Sequence, residues 1–279
     1  MSAETNNAPI PATPNHATEE RESSKPSIFS RAPVVLALIS LFTFVAYLPV
    51  LFNFFAGDDY VHLTWLATAI NHLELVWRKF YTSWLDGTTT KFYRPLISVF
   101  MISDYAIWGV NGLGFRLTNI AFHLTSTVFI FLIVDRLQNV ETRTKPTALK
   151  PASQFPLWAT SAAALFALHP LHPEAVAWIT GRVDSVVTAF CVASIFFYID
   201  WRQTKRAISI TLCVVSMIAG LLSREMAITL PAAFVWLELL YGHYWSTPGA
   251  PTSTLGAPAS SRHRAPLSNG SESNSANDN

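Results

Sequence analysis

Charge is what this sequence has least of. Asp, Glu, Lys and Arg make up 13% of its 279 residues while 51% are hydrophobic, where a soluble domain carries about a quarter charged residues. That deficit points to lipid. Cysteine is nearly absent: Cys191 and Cys213 both fall inside apolar runs, where they read as small apolar filler, and no disulfide or metal framework follows. Nucleic acid is excluded as a partner, because the formal net charge is +1 and the Lys and Arg residues are spread through loops rather than gathered in one patch. No internal repeat is visible. What is present is a series of apolar runs near the roughly 20 residues a bilayer-spanning helix needs. They lie at about 33–52, 115–135, 157–176, 183–201, 206–222 and 227–243, and predict an all-α polytopic membrane protein with about six transmembrane helices. Residues 1–30 and 246–279 are rich in Pro, Ser, Asn and Thr and poor in apolar groups, which predicts a disordered arm and tail around a transmembrane domain at 31–245. The first run follows a polar stretch and lacks a small-residue cleavage site, so it reads as an uncleaved anchor.

The stretch Tyr93 to Val110 (YRPLISVFMISDYAIWGV) is almost long enough to span. If it lies flat, most of the nineteen Lys and Arg residues fall on one side, among them Arg136, Arg143, Lys145, Arg202, Lys205 and Arg206. The positive-inside rule then makes that side cytoplasmic, with both termini there. If it spans, the basic loops move outside. The flat reading also suits Arg94 and Asp104, which interrupt the run, and Pro95, which fits a helix's first turn. Val61 to Phe80 has apolar residues at Leu63, Leu66, Ile70, Leu73 and Trp77, a spacing that predicts one helical face. The first outer loop, about 53–114, is therefore expected to hold two surface-lying helices.

This topology brings three ionisable clusters to the outer side: Asp58 and Asp59 after span one; His169, His172, Glu174, Arg182 and Asp184 around the turn between spans three and four; Arg224 and Glu225 between spans five and six. Charge at a bilayer boundary is costly, so such groups point to function. Each cluster alone also reads as a solvated turn or a kinked helix end, since Pro170 and Pro173 each remove a backbone donor. His169 and His172 share a helical face with Glu174 nearby, a zinc-like spacing, but Pro173 interrupts that helix and no HExxH motif is present.

In order along the chain, FFAGDD, YRPL, FRLTN, ALFALHPLHPEAVAWITGRVD and a short Arg-Glu turn before TLP resemble the membrane half of the transmembrane and tetratricopeptide-repeat O-mannosyltransferases and their bacterial relatives. These are GT-C glycosyltransferases that use polyprenyl-phosphate-linked sugars. The resemblance covers roughly 45–243, and HPLHPEAVAWITGRVD is its specific element. It implies sugar transfer from a polyprenyl phosphate to a protein or glycan acceptor on the outer face, across the cytoplasmic membrane if the source is bacterial. It also implies that Asp58 or Asp59 acts at the catalytic centre. On that reading Asp58 is the base, Asp59 orients it or binds a divalent cation, Arg94, Arg182 and Arg224 hold phosphate, and His169, His172, Glu174, Asp184 and Glu225 line the substrate site. Members of the family continue into further spans and then repeats, so this is a partial GT-C module, which a partner chain can complete. The alternatives are a non-catalytic or truncated GT-C-like membrane partner, a transporter and a metal-dependent membrane enzyme.

Overall fold

The computed structural model of the chain describes residues 32–84, 92–144 and 156–245, the side chains of 141–144 excepted. The expected arm and tail at 1–30 and 246–279 lie outside the described residues, as does most of the basic loop after Arg136. Within the described residues the chain is helical and without strands. Four segments are long and apolar enough to cross a membrane: Ala32–Phe52, Gly112–Val140, Arg182–Thr204 and Glu225–Trp245. It is a multi-pass membrane protein.

Helix α1 (Ala32–Tyr47) tightens into a 3-10 turn at Leu48–Phe52, where Pro49 lies at the start of the tighter turn and cannot donate to an α-helical ladder. Three short helices follow, α2 (Asp59–Ala69), α3 (Glu74–Arg78) and α4 (Pro95–Trp108). Next come α5 (Gly112–Thr144), α6 (Leu157–Ala167), α7 (Pro173–Ala177), α8 (Arg182–Thr204) and α9 (Ala207–Leu221). A 3-10 turn at Glu225–Thr229 leads into α10 (Leu230–Trp245), whose first turn holds Pro231.

Side-chain bonds fix the two ends of the bundle. At one end Arg136 of α5 and Ser209 of α9 both reach Asp200 of α8, and Arg202 pairs with Glu238 of α10 at 3.0 Å. At the other, Arg116 of α5 meets the chain leaving α1 and the end of α7, while Arg224 after α9 pairs with Asp184 of α8. Six segments (α1, α5, α6, α8, α9, α10) therefore run alternately up and down. Helices α6 and α9 carry the chain between ends although their 11 and 15 residues give only about 16 and 22 Å. Both ends of α4 stay at the Arg116 end, Arg94 near Glu225 and Asp104 on Arg182, so its 14 residues make no crossing.

Two expectations change in detail. The run 157–176 is not one helix: α6 stops at Ala167, residues 168–172 turn, and α7 restarts at Pro173, because Pro170 and Pro173 cannot supply the N–H groups a continuous helix needs. The expected helix 61–80 splits at 70–73 into α2 and α3, giving three short helices before α5 instead of two. Of its five face residues Leu66 is buried, but Leu73 and Trp77 are 59% and 67% exposed, and the buried positions are His62, Leu66, Ala69, Val76 and Lys79. The break rotates α3, so one period does not run through both helices. Beneath them Leu66, Ile97, Met101, Phe115, Ile179 and Val186 form a core joining α2 and α4 to α5 and α8. Leu41, Phe42 and Val45 of α1 and Val235, Trp236 and Leu239 of α10 face outward, as lipid-facing helices require. Gly109, at φ +60°, ends α4 in a left-handed turn that a β-carbon disfavours.

The alternation predicts that, in a Cys191→Ala, Cys213→Ala background, cysteines at Ala56 and Val110 label from one side of the membrane and a cysteine at Lys205 from the other. Labelling of positions 56 and 110 from opposite sides would mean that α4 crosses.

Candidate functional site

The chain leaving α1 is extended over 53–56, and its carbonyls have no helix of their own to bind. Arg116, near the start of α5 and buried, supplies the donors. Its guanidinium donates to Asn53 O and Phe54 O, both at 2.6 Å, and to Ala177 O at 3.1 Å. One turn on, Asn119 Nδ2 donates to Val176 O and Trp178 O at 3.2 and 3.0 Å. Arg116 and Asn119 of FRLTN thus satisfy backbone carbonyls around the loops at a membrane boundary, where an unpaired carbonyl is costly. Ser185 Oγ adds a bond to Ala175 O at 2.7 Å. The turn into α8 is as close: a β-carbon on Gly181 would sit 2.3 Å from Glu174 O, so the GR of ITGRVD requires glycine.

The two aspartates of FFAGDD part company. Asp59 is buried, and its carboxylate accepts from Ala56 N at 3.0 Å, Thr180 N at 3.1 Å and Thr180 Oγ1 at 2.7 Å. Asp58 is exposed at the N-terminus of α2. Asp59 thereby ties the α1 exit to the turn before α8. Between them opens a cleft of about 420 Å³ lined by Asn53, Ala56, Asp59, Arg116, Glu174 and Trp178. Glu174 is exposed at its rim.

Below the cleft Arg182 is fully buried. It donates to Asp104 Oδ2 at 2.6 Å and Phe115 O at 3.0 Å, and Asp104 also accepts from Thr118 Oγ1 at 2.8 Å. Breaking a buried pair of this kind typically costs about 3–5 kcal/mol because the surviving charge is stranded. As placed, the guanidinium offers no exposed atom to a phosphate. Arg94 and Arg224 are nearer the surface: Arg224 pairs with Asp184, and Arg94 lies 3.8 Å from Glu225 with its guanidinium over the rings of Phe92 and Trp84. His172 packs on Phe166 and on His123, which bonds Ala167 O at 3.0 Å, and its ring lies 5.8 Å from that of His169. Burial lowers His172 from its ordinary value and a protonated His169 lowers it further. His169 Nδ1 accepts from Leu171 N at 3.2 Å.

The ten expected site residues therefore gather at one end of the bundle, the first cluster joined to the second through Asp59 and Thr180, the second to the third through Asp184 and Arg224. The histidines form a separate aromatic group around the α6–α7 turn. Among the described residues no three His, Cys, Asp or Glu side chains converge as a metal site would need, and the partners of Asp59 suit an orienting role better than a cation. Sequence reasoning missed Arg116, Asn119, Thr180, His62 and His123, and took Asp104 only as an interruption. FRLTN was visible as a motif, but nothing in it announced contacts 57 to 63 residues away.

No family model and no solved structure matches the chain. Its likeness lies elsewhere. The chain is similar to the TMTC protein O-mannosyl-transferases. It is 31% identical over 151 residues to protein O-mannosyl-transferase Tmtc1 of Drosophila melanogaster, covering 53% of this chain and 16% of that protein. A protein O-mannosyl-transferase of Caenorhabditis elegans is 28% identical over 159 residues, 56% of this chain and 21% of its own. Human TMTC4 is 33% identical over 115 residues, 40% and 15% respectively. The matched stretch is thus about half of this chain and no more than about a fifth of these O-mannosyl-transferases.

His62 provides a pH test of the packing. Its ring stacks on Trp84 at 4.7 Å. Burial pushes its imidazole from 6.5 down to about 4, against the pull of Asp58 and Asp59 and with Lys79 and Arg182 adding to the fall. Between those values the unfolded chain binds the proton and the folded chain does not, so stability is retained above pH 6.5 and falls as pH drops toward 4. His62→Gln is expected to flatten the fall in Tm between pH 7 and 4.5; an unchanged slope would place the acid sensitivity elsewhere.

Proposed function

We propose that the chain is a membrane glycosyltransferase module, transferring a hexosyl group, mannosyl in the first instance, from a polyprenyl-phosphate sugar to a protein or glycan hydroxyl at the outer face. The observation that carries the reading is the bond set of Asp59. By holding the α1 exit against Thr180 it fixes the backbone that carries the exposed Asp58, one residue along from a cleft that Asp59 and Glu174 line. The likeness to protein O-mannosyl-transferases supplies the reaction class. The cationic end of the bundle, with Arg136, Arg202, Lys205 and Arg206, is assigned to the cytoplasm, which puts the cleft outside. In a bacterium that membrane is the inner one.

The chemistry follows from residue types. Asp58, exposed and one residue from the anchored Asp59, takes the proton of the acceptor hydroxyl as its oxygen attacks the anomeric carbon. The bond from that carbon to the phosphate oxygen breaks, and the phosphate leaves with the electron pair. Arg94 and Arg224, the two cations nearest the surface among the expected three, stabilise the charge that grows on it. Arg182 takes another part: through Asp104 it sets α4, and hence Arg94 at the N-terminal end of α4. Glu174 lines the far side of the cleft, and a divalent cation is an option that the donor set does not require.

A second reading, a non-catalytic partner in a larger assembly, draws on a specific feature: each of the three arginines already faces a carboxylate, Asp104, Asp184 or Glu225. Transfer separates the two. In reconstituted membranes with labelled polyprenyl-phosphate mannose and an acceptor extract, Asp58→Asn is expected to lower transfer about 10²–10⁴-fold, the typical loss for a positioned base, while leaving Tm unchanged. Asp59→Asn is expected to lower Tm as well. Wild-type transfer by both variants would remove the base assignment, and no transfer by the wild-type protein would favour the partner.

A further inference from the structure

Two guanidinium groups from distant parts of the chain meet at the edge of the outer end. Arg94 precedes α4 and Arg224 follows α9, and the backbone fastens the two segments together, Leu96 N donating to Leu222 O at 3.1 Å. The Arg94 and Arg224 charges lie close enough to disfavour each other, and Glu225 offsets that repulsion. Like charges are not brought together without a counter-ion, and here there are two: Asp184 on Arg224 and Glu225 on Arg94. Arg94 is also fixed in direction by the rings of Phe92 and Trp84, at 4.3 and 4.9 Å, and its Nε is buried without a hydrogen-bond partner. The cation lies against two rings and its hydrogen-bonding is incomplete.

The pairs differ in kind from Arg182–Asp104, whose side chains are 0% and 8% exposed. Asp184 and Glu225 are 47% and 55% exposed, free to swing into water. An ionised carboxylate only accepts hydrogen bonds and has none to give a phosphate. A phosphate and these carboxylates are acceptors of the same charge competing for the same guanidinium N–H groups, so a phosphate binds best once the carboxylates move aside.

We propose that Asp184 and Glu225 are latches on a phosphate site formed by Arg94 and Arg224, occupying the cations in the free protein and swinging away when the phosphate of a lipid-linked substrate arrives. The inference rests on the glycosyltransferase reading for the ligand and adds the regulation of its site. It reverses the part expected for the two carboxylates, which become competitors of the ligand. The latches keep the two-arginine site neutral when empty, so that free inorganic phosphate and other small anions bind poorly, while a lipid phosphate, concentrated at the membrane surface, displaces them.

The test measures binding to the full chain in nanodiscs, with farnesyl phosphate, inorganic phosphate and uncharged farnesol as probes. Wild type is expected to bind farnesyl phosphate more tightly than either other probe. Glu225→Gln and Asp184→Asn are expected to tighten farnesyl phosphate by up to about fivefold each, the factor an exposed ion pair commands, and to raise affinity for inorganic phosphate. Arg94→Gln and Arg224→Gln are expected to weaken the phosphate probes and leave farnesol unchanged. Weaker binding by Glu225→Gln and Asp184→Asn overturns the latch while the phosphate site stands. Indifference of all four variants to phosphate overturns both the latch and the phosphate assignment of these arginines. If Asp184→Asn fails to fold, Glu225→Gln decides alone, since its pair is long and exposed.

Discussion

The Arg116 end of the bundle depends on one constraint: backbone that is neither helix nor strand must have its polar groups satisfied at the edge of a membrane. Arg116 meets it. A single buried guanidinium bonds carbonyls on both sides of the site, Asn53 and Phe54 leaving α1 and Ala177 closing α7, and does so from the 33-residue helix α5. Asn119 repeats the device one turn deeper. Because the donors are side chains of α5, the two loops are free of helical geometry and can turn carboxylates toward a cleft. A methionine at position 116 would fill the space and leave three carbonyls to find water, each at a cost of about 1–3 kcal/mol if buried.

Charge is handled in two ways on this frame. Deep pairs are permanent: Arg182 with Asp104 locks α4 to α5 and α8 through Thr118 and Phe115, and at the far end Asp200 gathers Arg136 and Ser209. Shallow pairs, Arg224 with Asp184 and Arg94 with Glu225, hold cations near the surface with half-exposed partners. On the proposed reading the division gives three arginines different ends, one as a bolt and two as binding groups.

Much of this was legible. Apolar runs foretold an all-α multi-pass protein, four of whose described segments are long and apolar enough to cross, and Pro170 with Pro173 marked the break after α6. The run of site residues from Asp58 to Glu225 pointed to one end of the bundle, because alternation of spans alone sorts loops to sides. What the sequence concealed was pairing. Asp58 and Asp59 are neighbours of one type, and only the fold makes one an anchor and the other exposed. Arg182 and Arg224 look alike in loops of similar polarity, yet the first starts α8 fully buried and the second sits at a turn nearer the surface. The apolar face expected through Leu73 and Trp77 failed because hydrophobic period does not distinguish a core from lipid, and a short break at 70–73 resets the phase.

The account's central claim is that Arg116 holds the α1 exit and the α7 end as one unit. Hydrogen exchange on the reconstituted protein tests it directly, comparing wild type with Arg116→Met at residues 53–59, 173–181 and, as a control, around Asp200. The account predicts that both segments at the Arg116 end lose protection together, including the Ala56 and Thr180 amides bonded to Asp59, while the Asp200 end keeps its protection. Loss in one segment alone, or no change in either, would contradict it.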